Sequence, residues 1–212
     1  VTFVFARFDL QTWTLHRQAL LPLAFIAVIA VILPVPGIAI IGASLVTSLV
    51  LSTAFLGDER GRLDTLYGIL PVSRRSVVIG RTLSLLAYYL LAALIATVVT
   101  FVVAAVRSEA ISFDLLLLLH AVALAIVGLS FSLQLPVFFR IGYARARYMA
   151  YAPSATLAAI AWLAQATGAL DGLSDFESFP VSTIGVIAAG VGIIGIAIGA
   201  AAAAAAYRRR SL

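Results

Sequence analysis

Six long apolar runs, separated by short polar stretches, organise this chain. They cover residues 19–35, 38–56, 82–106, 115–139, 148–166 and 181–206. A membrane-spanning helix needs about 20 mainly apolar residues, and each run meets or approaches that length. Within the runs apolar and polar residues do not alternate, so helices are expected and a β-barrel is not. The segment Pro34-Val35-Pro36-Gly37 marks a tight turn between the first two runs. Residues 1–18 are too polar to span. On a helical wheel Val1, Val4, Phe5, Phe8 and Leu15 share one face, with Arg7, Gln11, Thr14 and Gln18 beside it and Phe3, Leu10 and Trp13 on the far side. This reads as an amphipathic helix lying in the membrane interface. The expected fold is an all-α polytopic membrane protein: one transmembrane domain over residues 1–212, with six spans and an N-terminal interfacial helix.

Composition agrees with the pattern. Hydrophobic residues make up 63% of the 212 positions and charged ones 11%. Soluble domains are about 45–50% apolar and about 25% charged, so a soluble enzyme and a disordered chain are both excluded. With no cysteine, neither a disulfide framework nor a thiolate metal site is possible. The basic residues are all Arg, and their distribution sets the orientation. With both termini cytoplasmic, 13 of the 14 Arg fall inside and only Arg107 outside, as the positive-inside rule requires. Five of the nine acids lie outside: Glu109, Asp114, Asp171, Asp175 and Glu177. The C-terminal Tyr207-Arg208-Arg209-Arg210 then reads as a topological anchor. Three Arg without further basic surface do not make a nucleic-acid footprint.

One cytoplasmic connector is longer than the two to eight or so residues that helix–helix connections usually take. Between spans two and three, Leu63, Leu66, Tyr67 and Leu70 recur at i, i+3, i+4 and i+7, one face of a short helix. Asp58 and Glu59 suit the positive end of that helix. Pro71 stops it, and Ser73 offers an N-cap to the next span. An apolar stripe among charges suits a groove on a partner protein, and equally a lipid interface or the chain's own bundle. The second inside connector, Arg140–Arg147, reads as plain topology.

Catalytic signals are missing. A P-loop needs a Lys to reach the phosphates, and the chain has none. His16 and His120 fall in separate segments, and no Gly-x-Ser-x-Gly turn occurs. Polar residues within spans are few: His120, Gln134 and Gln165. The default reading for each is a helix–helix hydrogen bond or an interfacial position. No carboxylate lies mid-span, which disfavours an ion-coupled carrier. Span six carries Gly185, Gly190, Gly192, Gly195 and Gly199, a small-residue pattern expected to allow close packing within the bundle. Pro136 and Pro153 are expected to kink spans four and five.

The run Phe55-Leu56-Gly57-Asp58-Glu59-Arg60-Gly61-Arg62-Leu63-Asp64-Thr65-Leu66, followed by Leu70-Pro71-Val72-Ser73-Arg74-Arg75, resembles the corresponding loop of ABC-2-type transporter permeases. The six-span layout and interfacial N-terminal helix resemble that family too. Arg81 stands where relatives often carry Lys. The resemblance implies the membrane subunit of an ABC exporter that pairs with a second permease subunit, identical or not, chiefly through spans one and five. It implies an ATP-binding cassette subunit beneath, with ATP and Mg bound there and no cofactor in this chain. Residues 58–70, beginning at Asp58, become the coupling helix. Leu63, Leu66, Tyr67 and Leu70 would fill the ATPase groove, and Glu59, Arg60, Arg62 and Asp64 would form charge pairs at its rim. Arg74 and Arg75 would contact the ATPase or lipid phosphates. The expected location is a plasma membrane, the inner or cytoplasmic one in a bacterium. Scarce polar groups in the spans favour an amphipathic or lipid-like substrate. A secondary carrier and a membrane scaffold recruiting a cytosolic partner are the competing readings.

Overall fold

The computed structural model describes residues 2–14, 17–33, 35–61, 73–168 and 180–209. Apart from turns, these residues are helical. They form α1 (Thr2–Thr14), α2 (Arg17–Ile32), α3 (Ile38–Gly61), α4 (Arg74–Arg107), α5 (Phe113–Ile141) and α6 (Tyr143–Ala146). A 3-10 turn at Arg147–Tyr151 leads into α7 (Ala152–Ala166), and α8 is Val181–Arg208. Among the described residues four helices are long and apolar enough to cross a membrane: α3, α4, α5 and α8, of 24, 34, 29 and 28 residues. The other two expected spans are shorter. The apolar part of α2 is Leu21–Ile32, and α7 has 15 residues. The structure thus carries four full-length candidate spans where the apolar runs suggested six. The cause is local: the 34–37 turn sequence ends α2 early, and the 3-10 turn takes up the start of the fifth run.

The innermost helix is α3, with 72% of its apolar window buried against 11% for α8. Its sequence explains the position. Gly42, Ala43, Ser44, Thr47, Ser48, Ser52 and Ala54 are small and buried, so neighbouring helices approach closely. The hydroxyls bond back onto their own helix: Thr47 Oγ1 donates to the Ala43 carbonyl at 2.8 Å and Ser52 Oγ to that of Leu49 at 2.8 Å. No polar group is thereby left bare on the packing face.

Helices α5 and α8 form a tight pair. A Cβ on Gly192 would stand 2.6 Å from the Leu124 carbonyl oxygen, one on Gly199 2.5 Å from that of Phe131, and one on Gly195 2.8 Å from the Gly128 backbone. The close-packing expectation for span six is met at these three glycines, whereas Gly185 and Gly190 have open space. Pro153 does not kink a span: it lies in the first turn of α7, where a missing N–H costs nothing.

Candidate functional site

The helix ends that the Arg distribution assigns to one side meet at one end of the bundle, around the two roots of the 62–72 segment. Ser73 begins the downstream root. Its Oγ accepts the Ser76 backbone N–H at 3.1 Å, with extended backbone at Ser73. The expected N-cap is present. Helix α4 then presents Arg74, Arg75 and, two turns on, Arg81.

Arg81 is almost fully buried, 2% exposed. Its Nη2 lies 2.7 Å from Asp9 Oδ1 on α1, and 2.8 and 2.9 Å from the two carboxylate oxygens of Asp58 on α3. Ser84, one turn further along α4, donates its hydroxyl to Asp9 Oδ2. The Phe55 ring packs under the guanidinium at 5.1 Å. Asp9 and Asp58 are buried as well. Buried charges require partners and hydrogen bonds, and this arrangement supplies them from three helices at once.

The other charges at these roots also bond within the chain. Both Glu59 oxygens accept the Ala144 N–H, at 2.9 and 3.1 Å. That amide belongs to the first turn of α6, where N–H groups lack helical partners. Arg74 Nη1 donates to the carbonyls of Tyr207 and Arg208 at 3.0 and 3.1 Å, and its guanidinium lies over the Tyr207 ring at 5.6 Å. It caps the C-terminal end of α8, where a cation is favoured. Tyr207 in turn packs on Phe139 of α5.

Two sequence expectations change. Asp58 and Glu59 do not start a separate short helix: α3 continues through both to Gly61. Acids at a helix C-terminus oppose the dipole, but Arg81 and the Ala144 amide offset that cost. Asp58 accordingly faces inward, while Arg60 and Arg75 are exposed. Arg62, Leu63, Asp64, Leu66, Tyr67 and Leu70 lie outside the described residues. Sequence reasoning passed over Asp9. The signal was present, since it is the only acid before Asp58, but its partner is distant along the chain.

Of the intramembrane polar residues, Gln134 is fully buried and donates to the carbonyls of Met149 and Ala150 at 3.0 and 3.1 Å. His120 Nε2 and Thr97 Oγ1 are 3.0 Å apart, joining α5 to α4. Both follow the helix-to-helix expectation. Gln165 is exposed near the end of α7. Among the described residues no group of three His, Asp or Glu is placed to hold a metal ion. Through Asp58, Glu59, Arg74 and Arg81, the ends of α3 and α4 are bonded to one another and to α1, α6 and α8.

The family model described as "ABC-2 family transporter protein" matches residues 11–207. No curated protein and no solved structure matches the chain.

Proposed function

The chain belongs to the ABC-2 transporter family, and on that premise we propose that it is the membrane-spanning permease subunit of an ABC exporter. ATP hydrolysis takes place in a separate ATP-binding cassette subunit, which binds ATP and Mg and docks on the 62–72 segment between α3 and α4. Leu63, Leu66, Tyr67 and Leu70 enter the groove of that subunit. Arg60, Arg62, Asp64 and Arg75 provide the charges around it. Two permease subunits, identical or not, enclose the path. The shorter α2 and α7 complete six spans, with both termini cytoplasmic in a plasma membrane.

The observation that carries this reading is the bonding of the loop's two roots. A displacement at a floppy tether would dissipate. Here Glu59, Arg74 and Arg81 tie the roots to α6, α8 and α1, so motion of a docked partner reaches most of the bundle. Polar groups are few within the spans, which favours an amphipathic or lipid-like substrate moved outward. No nucleic acid is involved.

The test is co-purification in mild detergent. The wild-type protein brings down an ATP-binding subunit and stimulates its ATPase. Leu66→Asp combined with Tyr67→Ala abolishes both while the bundle stays folded. Unchanged co-purification and stimulation in the double variant would refute docking through this loop.

A further inference from the structure

We infer that Arg81 is a positioning residue of the transmission: by holding Asp9 and Asp58 on one nitrogen it makes the N-terminal helix α1 move with the roots of the docking loop. This rests on the proposed docking of an ATP-binding subunit at that loop.

Three observations carry it. The first is geometric. A single atom, Nη2, reaches Asp9 Oδ1 at 2.7 Å and Asp58 Oδ2 at 2.8 Å. Neither carboxylate can shift by an ångström without losing a charge-assisted bond, whose length falls within about 2.7–2.9 Å. The second is burial: Asp9 and Arg81 are each 2% exposed. Buried ion pairs contribute little to stability compared with apolar residues of the same volume, and their best-attested use is to fix one arrangement of parts. The third is placement. Asp58 lies four residues before the 62–72 segment and Arg81 nine residues after it. Asp9, by contrast, belongs to a helix with no chain connection to that segment except through α2 and α3. Among the described side chains of α1, Asp9 is buried and Ala6 and Leu10 are half-buried, while Phe3, Arg7, Phe8 and Gln11 are exposed. The charge cluster joins α1 to α4 through Asp9, the most buried of the described α1 side chains. Ser84 reinforces it, its one hydroxyl proton shared between Asp9 and the Arg81 carbonyl.

The absence of cysteine allows site-specific spin labels. In the complex with its co-purified ATP-binding subunit, labels at Gln11→Cys and Gly57→Cys, the latter exposed with open space for a side chain, report the distance from α1 to the upstream loop root. Labels at Gln11→Cys and Arg140→Cys report the distance from α1 to α5. Pulsed EPR should give one narrow Gln11–Gly57 distribution, unchanged when nucleotide is trapped with vanadate, while the Gln11–Arg140 distance shifts. Arg81→Met should broaden the first distribution and lower permease-dependent ATPase stimulation by roughly tenfold, within the range reported for changes along a coupled network, with co-purification intact. Arg81→Lys, which keeps the charge, should recover part of the stimulation. Asp9→Asn leaves the Arg81–Asp58 pair in place and should reproduce both losses even where Arg81→Met fails to fold. Stimulation within about twofold of wild type in Asp9→Asn would overturn the inference, since a coupled network predicts a larger loss. A Gln11–Gly57 distance that changes with nucleotide in the otherwise wild-type chain would also overturn it. Wild-type protein that brings down no ATP-binding subunit would overturn the docking reading itself, a separate result.

Discussion

Gly192 of α8 lies directly against the backbone of Leu124 in α5, where a Cβ would stand 2.6 Å from the carbonyl oxygen and 2.7 Å from the carbonyl carbon. The neighbour is backbone, so it cannot rotate away. Gly192→Ala must therefore separate the two helices, and overpacking of this kind costs about 1–3 kcal/mol. Gly190→Ala is the control, because nothing lies within 4 Å of a Cβ there. It should be neutral or slightly stabilising, since Ala exceeds Gly in helix propensity by about 0.5–1 kcal/mol. Unfolding in mixed detergent should rank Gly190→Ala at or above wild type and Gly192→Ala below it. Equal stability of the two variants would show that α5 and α8 do not pack through this seam.

How far the sequence revealed the fold depended on the range of the signal. The Ser73 cap is a local feature, and it stands where expected. The small-residue pattern in span six indicated close packing, but not that α5 would be the partner, because a stripe of glycines does not identify its neighbour. The upstream boundary of the loop was misplaced for an instructive reason. Asp58 and Glu59 read locally as a helix start, yet tertiary partners hold them at a helix end. The Asp9–Arg81 pair was not legible, because it depends on which helices become adjacent. The shortness of α2 and α7 was also hidden: an apolar run records hydropathy, not where a turn consumes part of it.

Gln134 offers a second stability test. Its amide nitrogen serves the Met149 and Ala150 carbonyls and stands 3.4 Å from Ser48 Oγ, joining α5 to the 3-10 turn and to α3. Gln134→Leu preserves approximate volume but removes this donor from the buried Ala150 carbonyl and from the half-buried Met149 one, which keeps the Ala152 N–H, a cost of about 1–3 kcal/mol. Gln134→Glu should be worse at neutral pH, because an ionised carboxylate donates nothing and would face two acceptors. Thermal unfolding in detergent should therefore give the order wild type, Leu variant, Glu variant. A Glu variant as stable as wild type would refute the assigned donor role.

Orientation can be tested without a reporter fusion. Glu109 and Arg75 are both exposed, at opposite ends of α4. In intact cells a membrane-impermeant maleimide should label Glu109→Cys and leave Arg75→Cys unlabelled until the membrane is permeabilised. The native chain supplies no background thiol. The reverse pattern would place 13 of the 14 Arg outside and overturn the topology expected from the positive-inside rule.

Arg107, the one Arg that the positive-inside expectation places outside, has a structural role. Its Nη2 donates to the Val31 carbonyl at 2.9 Å, and Nη1 reaches the Leu33 carbonyl at 3.4 Å. Helix α2 ends at Ile32, so its last carbonyls have no helical donors. A guanidinium placed there satisfies them and favours the negative end of the dipole. Arg107→Ala should cost about 0.5–1.5 kcal/mol, the usual net value of a hydrogen bond at a partly exposed site. The loss should be confined to the end of α2, visible as faster amide exchange over residues 28–32 with α3 unaffected. Arg107→Lys should recover part of the protection, because an ammonium still donates but lacks the two-pronged geometry. Wild-type exchange rates at the end of α2 in Arg107→Ala would show that the turn alone holds that helix in place.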